Sequence, residues 1–172
     1  SERQALPAAP GLSVDVFVPT YNESVDLVRK TLLAARAMDY PHTTWLLDDG
    51  RRPEMQALAR QLGCEYLARP DNEHAKAGNL NHALAHRRGE LIAIFDADHA
   101  PARDFLTRTL GYFADPKLGF VQTPQDFYNL DSFQHRWRGA GRTVWTEQSL
   151  FFRVIQRGKD CWNAAFFCGS CA

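Results

Sequence analysis

From Val14 onward, short apolar runs alternate with stretches in which apolar residues recur every three or four positions. The runs Val14 to Val18, Thr44 to Leu47, Cys64 to Ala68, Leu91 to Phe95 and Gly119 to Thr123 predict strands. Between the first two, Val25, Val28, Leu32 and Ala35 predict a helix with one apolar stripe, and Asn22 is placed to cap it. Met55, Leu58, Ala59 and Leu62 predict a second helix with Pro53 near its first turn. Ala77, Leu80 and Leu84 mark a third, and Leu106, Leu110 and Phe113 a fourth after Pro101, with all four stripes expected in the core. Such alternation predicts an α/β fold, a largely parallel sheet with helices on both faces. Residues 1–12, with Pro7, Pro10 and Gly11, read as a linker to a domain over 13–172. Pro124 to Thr143 is polar, aromatic and arginine-rich without a period, and predicts a long loop or short helices over one sheet edge. A helix is expected through Trp145 to Gln156.

The 172 residues suffice for one domain with a substantial core, and 20 basic against 20 acidic residues leave no broad field to attract nucleic acid. No run approaches the ~18 apolar residues of a membrane helix, so the chain is expected to be soluble as given. Four cysteines are too few for a disulfide scaffold, and Cys64 falls in an expected buried strand, which suits a reducing, cytosolic setting. Cys168-Gly169-Ser170-Cys171 has C-x-x-C spacing but no further pair to complete a zinc site, and reads as a tight glycine-bearing loop.

The candidate chemistry lies at the strand ends. Asp96-Ala97-Asp98 ends an apolar run, and carboxylates two apart on a strand project the same way. They offer hard oxygen ligands to a Mg²⁺ or Mn²⁺ ion that accompanies phosphates. Asp48-Asp49-Gly50 closes a second strand, Pro19-Thr20-Tyr21-Asn22-Glu23 follows the first, and Asn72 to Asn79 opens the third helix. In an open parallel sheet ligands bind beyond the carboxyl ends of the strands, which gathers these four clusters into one place. An acidic strand end can accept hydrogen bonds from a base or ribose, Asp-x-Asp can hold a cation, and Lys76 can face a diphosphate: the outline of a nucleotide-diphosphate site. His74 and His99 are weaker candidates, each readable as a local hydrogen-bonding group.

Two other enzyme classes fit poorly. A phosphatase with a nucleophilic Asp-x-Asp needs a later acidic pair, and after Asp131 only Glu147 and Asp160 remain. A dinucleotide-binding oxidoreductase needs a glycine-rich turn where Pro19-Thr20-Tyr21-Asn22-Glu23 stands. A module that binds nucleotide without turnover stays open.

Six motifs in order carry a resemblance: Val18-Pro19-Thr20-Tyr21-Asn22-Glu23, Asp48-Asp49-Gly50, His74-Ala75-Lys76-Ala77-Gly78-Asn79, Phe95-Asp96-Ala97-Asp98-His99, Gln122-Thr123-Pro124 and Phe166-Phe167-Cys168-Gly169-Ser170. The chain from about residue 14 to its last residue resembles the processive family 2 glycosyltransferases, the family of the bacterial cellulose synthase catalytic subunits. The resemblance implies a GT-A fold and an inverting transfer of glucose from UDP-glucose, with Mg²⁺ or Mn²⁺, to a growing β-1,4-glucan. It implies that Thr20, Tyr21, Glu23, Asp48, Asp49, Lys76 and Asp96 bind the nucleotide and that Asp96 and Asp98 bind the metal. It makes Asp48 and Asp98 the catalytic candidates, and Phe167, Cys168, Gly169 and Ser170 the acceptor contacts. It further implies a parent protein in the membrane, its catalytic domain on the cytoplasmic face, with synthase partner subunits.

Two departures accompany it. The family's Thr-Glu-Asp base motif and its Gln-x-x-Arg-Trp motif do not occur in these residues. The chain is therefore expected to be a piece of a longer one and inactive by itself. Gln125-Asp126-Phe127-Tyr128-Asn129 stands where these synthases more often carry His-x-Phe, which keeps a β-glucan synthase of another linkage or sugar as an alternative.

Overall fold

The computed structural model describes residues 7, 11–123, 169 and 172. Four parallel strands, β1 (Val14–Thr20), β2 (Thr43–Asp48), β3 (Glu65–Leu67) and β4 (Leu91–Ile94), lie in the order β3-β2-β1-β4. Helices α1 (Val25–Arg36), α2 (Pro53–Leu62), α3 (Ala75–Leu84) and α4 (Phe105–Thr109) follow the strands in turn, and a 3₁₀ turn, Leu110–Ala114, continues α4. The central strand β1 is buried along its whole length, as a strand flanked by neighbours and covered on both faces must be.

Period-2 alternation divides the core. Val18 and Leu46 face α1 and α2, where Val28, Leu32, Met55, Leu58 and Ala59 are buried. Phe17, Trp45 and Leu47 point to the other face, toward Ala83 and Leu80 of α3. Each fully buried side chain of this size contributes about 1.5–3 kcal/mol, so these two layers hold the sheet. The sheet order reverses between β1 and β4: the chain steps outward through β2 and β3, then returns to the other side of β1. That crevice, beyond the carboxyl ends of β1 and β4, is the switch point where such sheets take ligands.

Several expectations are corrected. Ser24, not Asn22, caps α1: its Oγ accepts from the Leu27 amide at 3.3 Å, because it stands directly before the first helical residue. Cys64 precedes β3 and is half-buried, since Gly63 closes α2 in the left-handed conformation (φ 64°) and shortens the strand. Ala77 and Leu84 are exposed; α3 turns Asn79 and Ala83 inward because the Asn79 amide group donates to the Leu47 carbonyl at 3.0 Å. The fourth helix divides into α4 and the 3₁₀ turn. Gly119–Thr123 is not a strand. The outward Ile94 amide of β4 donates to Ala172 at 2.7 Å, and Phe120 is 39% exposed.

The chain clusters into two units, one comprising residues 1–121 with 172, the other residues 122–171. Of the second, Gln122, Thr123 and Gly169 are described. The expected loop Pro124 to Thr143, the helix through Trp145 to Gln156 and most of the 1–12 linker lie outside the described residues. Among the described residues no helix is long and apolar enough to cross a membrane.

Candidate active site

Thr20 ends β1 and Asp48 ends β2, and parallel register puts them side by side. Asp48 is fully buried and accepts from the Gly50 amide (3.0 Å), the Arg52 amide (2.6 Å), the Arg52 guanidinium (3.2 Å from both Nε and Nη2) and the Tyr66 hydroxyl (3.0 Å). The same guanidinium donates to Thr20 Oγ1 at 2.9 Å and to the Glu23 carbonyl at 2.7 Å. Glu23 Oε2 in turn accepts from the Thr20 hydroxyl (2.7 Å) and the Tyr21 amide (2.8 Å). Burial pushes Glu23 upward, but those two bonds and Arg52 outweigh it and hold the carboxyl below its usual range. Tyr66 goes the other way, pushed up to about 12 by burial and the Asp48 charge, so it remains a donor at neutral pH. Tyr21 is 61% exposed at the rim of this network, its ring open to a stacking partner.

Asp49 follows in the turn, 4% exposed, and its two oxygens accept a fork from Arg69, Nε at 2.7 Å and Nη2 at 2.9 Å. That bond, ahead of the burial opposing it, raises the arginine further above its already high range. Positive φ at Arg51 (53°), His74 (58°) and Ala75 (45°) falls in the two loops that border this pair. Strained backbone of this kind concentrates at functional loops.

Across the switch point, Lys76 in the first turn of α3 binds the Asp96 carboxylate. His99 Nδ1 lies 3.5 Å from the other Asp96 oxygen and 3.8 Å from Asp98. Burial opposes ionisation of Asp96, yet bonds from His99 and Lys76 hold it below the usual carboxylate range. His99 is raised by its bond to Asp96, with burial opposing and the Asp98 charge adding. Asp96, Asp98 and His99 each present a ligand atom within 4.8 Å of the others, with Asp98 largely exposed. Two carboxylate oxygens and an imidazole, gathered at an open rim, fit a hard divalent cation that shares its remaining positions with phosphate oxygens.

The structure thus brings Thr20, Tyr21, Glu23, Asp48 and Asp49 together at the ends of β1 and β2, and pairs Lys76 with Asp96 beside Asp98. Phe167, Cys168 and Ser170 lie outside the described residues, as does the C-x-x-C pair, and Gly169 is described with φ 89° in the second unit. Sequence reasoning missed Arg52, Tyr66 and Arg69 and did not put His99 with the metal ligands. One signal was available for the arginines, because acids at the end of a buried strand require a cation partner.

A mannosyltransferase from Pyrobaculum calidifontis, solved in complex with GDP-Man and Mn²⁺, superposes with a TM-score of 0.58 at 30% identity, covering 74% of this chain and 41% of that one. Glucosyl-3-phosphoglycerate synthase from Mycobacterium tuberculosis, solved with Mn²⁺, UDP and glucosyl-3-phosphoglycerate, gives 0.51 at 19% identity over 61% of this chain and 40% of that one, a likeness of fold. The architecture is that of the GT-A nucleotide-sugar transferases. The profile of Glycosyl transferase family 2 matches residues 15–172, and the chain belongs to that family. It is 49% identical to cellulose synthase 1 of Komagataeibacter xylinus over 99% of its length, and 50% identical to the UDP-forming cellulose synthase catalytic subunit of Pseudomonas fluorescens over 93%. It spans 11% and 22% of those two proteins.

Proposed function

We infer that this chain is the donor-binding part of a membrane-bound inverting glycosyltransferase that moves glucose from UDP-glucose to a growing β-1,4-glucan, in cellulose synthesis. The observation that carries it is the convergence of Thr20–Glu23, Asp48–Asp49, Lys76 and Asp96–His99 at one switch point in a family 2 domain. Likeness to UDP-forming cellulose synthases supports the sugar and the product.

In this reading Tyr21 stacks on uracil, and Thr20, Glu23 and Asp48, with Asp49 beside them, hold the uridine through the network that Arg52 locks. Lys76 and Asp96 meet the diphosphate, and Asp96 and Asp98, joined by His99, hold Mg²⁺ or Mn²⁺. The cation supplies charge neutralisation for two phosphates that two carboxylates would otherwise repel. Asp48 at the nucleoside and Asp98 at the diphosphate would fix the UDP part of the donor at two points, which restricts the orientation of the sugar attached to it. Phe167, Cys168, Gly169 and Ser170 contact the acceptor glucan, and the general base lies in a Thr-Glu-Asp motif elsewhere in the parent protein. That parent sits in the membrane with its synthase partner subunits, this domain on the cytoplasmic face.

Membranes carrying the parent protein, supplied with radiolabelled UDP-glucose and Mg²⁺, should yield polymer that a β-1,4-endoglucanase dissolves. Polymer resistant to that enzyme would favour the alternative suggested by Gln125-Asp126-Phe127, a related synthase of another linkage or sugar. No incorporation would overturn the reading.

A further inference from the structure

The guanidinium of Arg69 is buried between two parts of the site that the donor would span, and it touches both. Its five N–H groups meet five acceptors: Asp49 Oδ1 and Oδ2, Asp71 Oδ1 at 3.4 Å, the Glu73 carbonyl at 2.6 Å and the Ala75 carbonyl at 2.9 Å. One side is the nucleoside end, since Asp49 adjoins Asp48 and its amide donates to the Thr20 carbonyl at 2.9 Å. The other is the diphosphate end, because Ala75 immediately precedes Lys76, which binds Asp96. His74 and Ala75 hold positive φ, a conformation that L residues keep only where their surroundings impose it. Gly78 marks how closely the turn wraps the guanidinium: a Cβ there would stand 2.0 Å from the Glu73 carbonyl oxygen and 2.6 Å from Arg69 Nη1.

We propose that Arg69 is a positioning residue that sets the distance between the nucleoside pocket and the Lys76–Asp96 diphosphate clamp, through the Asp49 fork on one side and the Glu73 and Ala75 carbonyls on the other. It rests on the UDP-sugar reading above. It acts on the ligand through Asp49 and Lys76. A lysine in its place keeps the charge but, with a single ammonium, cannot hold a planar fork and two diverging carbonyls at once.

The test is the affinity of Arg69→Lys for UDP and for uridine, both with Mn²⁺, UDP by calorimetry and uridine by displacement of UDP. UDP should weaken at least about tenfold, on the scale of one lost charge-assisted bond, while uridine stays within about twofold. Equal weakening of both ligands, or unchanged UDP affinity, overturns the inference and leaves the donor-site reading standing. A wild-type chain that binds neither ligand removes that reading and the inference with it. If circular dichroism shows Arg69→Lys unfolded, Gly78→Ala decides by the same rule: its Cβ would stand 2.0 Å from the Glu73 carbonyl oxygen and 2.6 Å from Arg69 Nη1, so it forces the Lys76 side of the turn off the guanidinium and leaves the Asp49 fork in place.

Discussion

Replacing Asp48 by Asn puts the hub of the network at the ends of β1 and β2 to the test at nearly constant volume. The carboxylate is fully buried and accepts from Gly50, Arg52 backbone, Arg52 side chain and Tyr66. An amide has one acceptor oxygen. If its NH₂ takes the Oδ2 place, it confronts the Arg52 amide, a donor 2.6 Å away in the wild type. If it takes the Oδ1 place, it confronts the Gly50 amide and the Arg52 guanidinium. Either way donor meets donor, and Arg52, whose side chain is 19% exposed, loses the charge of the carboxylate it is bonded to. Breaking a buried pair from one side costs about 3–5 kcal/mol, and partial exposure of Arg52 puts the expectation near the lower end, about 3 kcal/mol. With a urea slope of about 2 kcal/mol/M, the unfolding midpoint should fall by about 1.5 M. Tyr66→Phe, which removes a single donor, should cost only about 1 kcal/mol. Urea denaturation followed by circular dichroism reads both. A midpoint shift under about 0.3 M for Asp48→Asn, with unchanged slope, would refute the network as described, since it amounts to about 0.6 kcal/mol.

Alkaline pH gives a second prediction: Tyr66 is raised to about 12, so the stability it lends is complete below its unfolded value near 10 and is lost as pH rises toward 12. Tyr66→Phe should therefore flatten the decline of the urea midpoint in that window, and parallel declines would contradict the assignment. A third concerns the base: if Tyr21, Glu23 and Asp48 hold uridine as proposed, GDP and ADP should compete with UDP at least about tenfold more weakly, and equal competition would place the pocket elsewhere. A fourth is that residues 1–172 alone, given UDP-glucose, Mg²⁺ and a cello-oligosaccharide primer, should form no polymer. General-base assistance is worth about 10²–10⁴-fold, and polymer would mean that the base lies within this chain.

Much of the candidate site was legible because its parts sit at strand ends, where an apolar run stops and an acid begins. Val14 to Val18 and Leu91 to Phe95 identified the strands, and the parallel rule alone brought Asp48, Asp49, Asp96 and Asp98 to one edge. The partners of those acids were not legible. Arg52 and Arg69 stand in loops, where no periodicity tells which arginine turns inward and which is solvated. The α3 stripe failed for a related reason. Hydrophobic period favoured Ala77 and Leu84, but the helix is rotated by a polar anchor, Asn79 on the Leu47 carbonyl, which the pattern of apolar residues does not contain. Gly119–Thr123 has strand composition, but pairing decides strands, and the outward Ile94 amide of β4 bonds Ala172 instead.

The central claim is a cation-dependent UDP site at the β1/β4 switch point, and calorimetric titration of UDP in Mn²⁺ and in chelator tests it most directly. Asp96 and Asp98 tolerate a diphosphate only when a cation screens them. Affinity should therefore fall at least about tenfold in chelator, and Asp98→Asn should lose more of the Mn²⁺-dependent binding than Asp49→Asn. Equal UDP affinity with Mn²⁺ and with chelator would take Asp96, Asp98 and His99 out of the donor site and contradict the account.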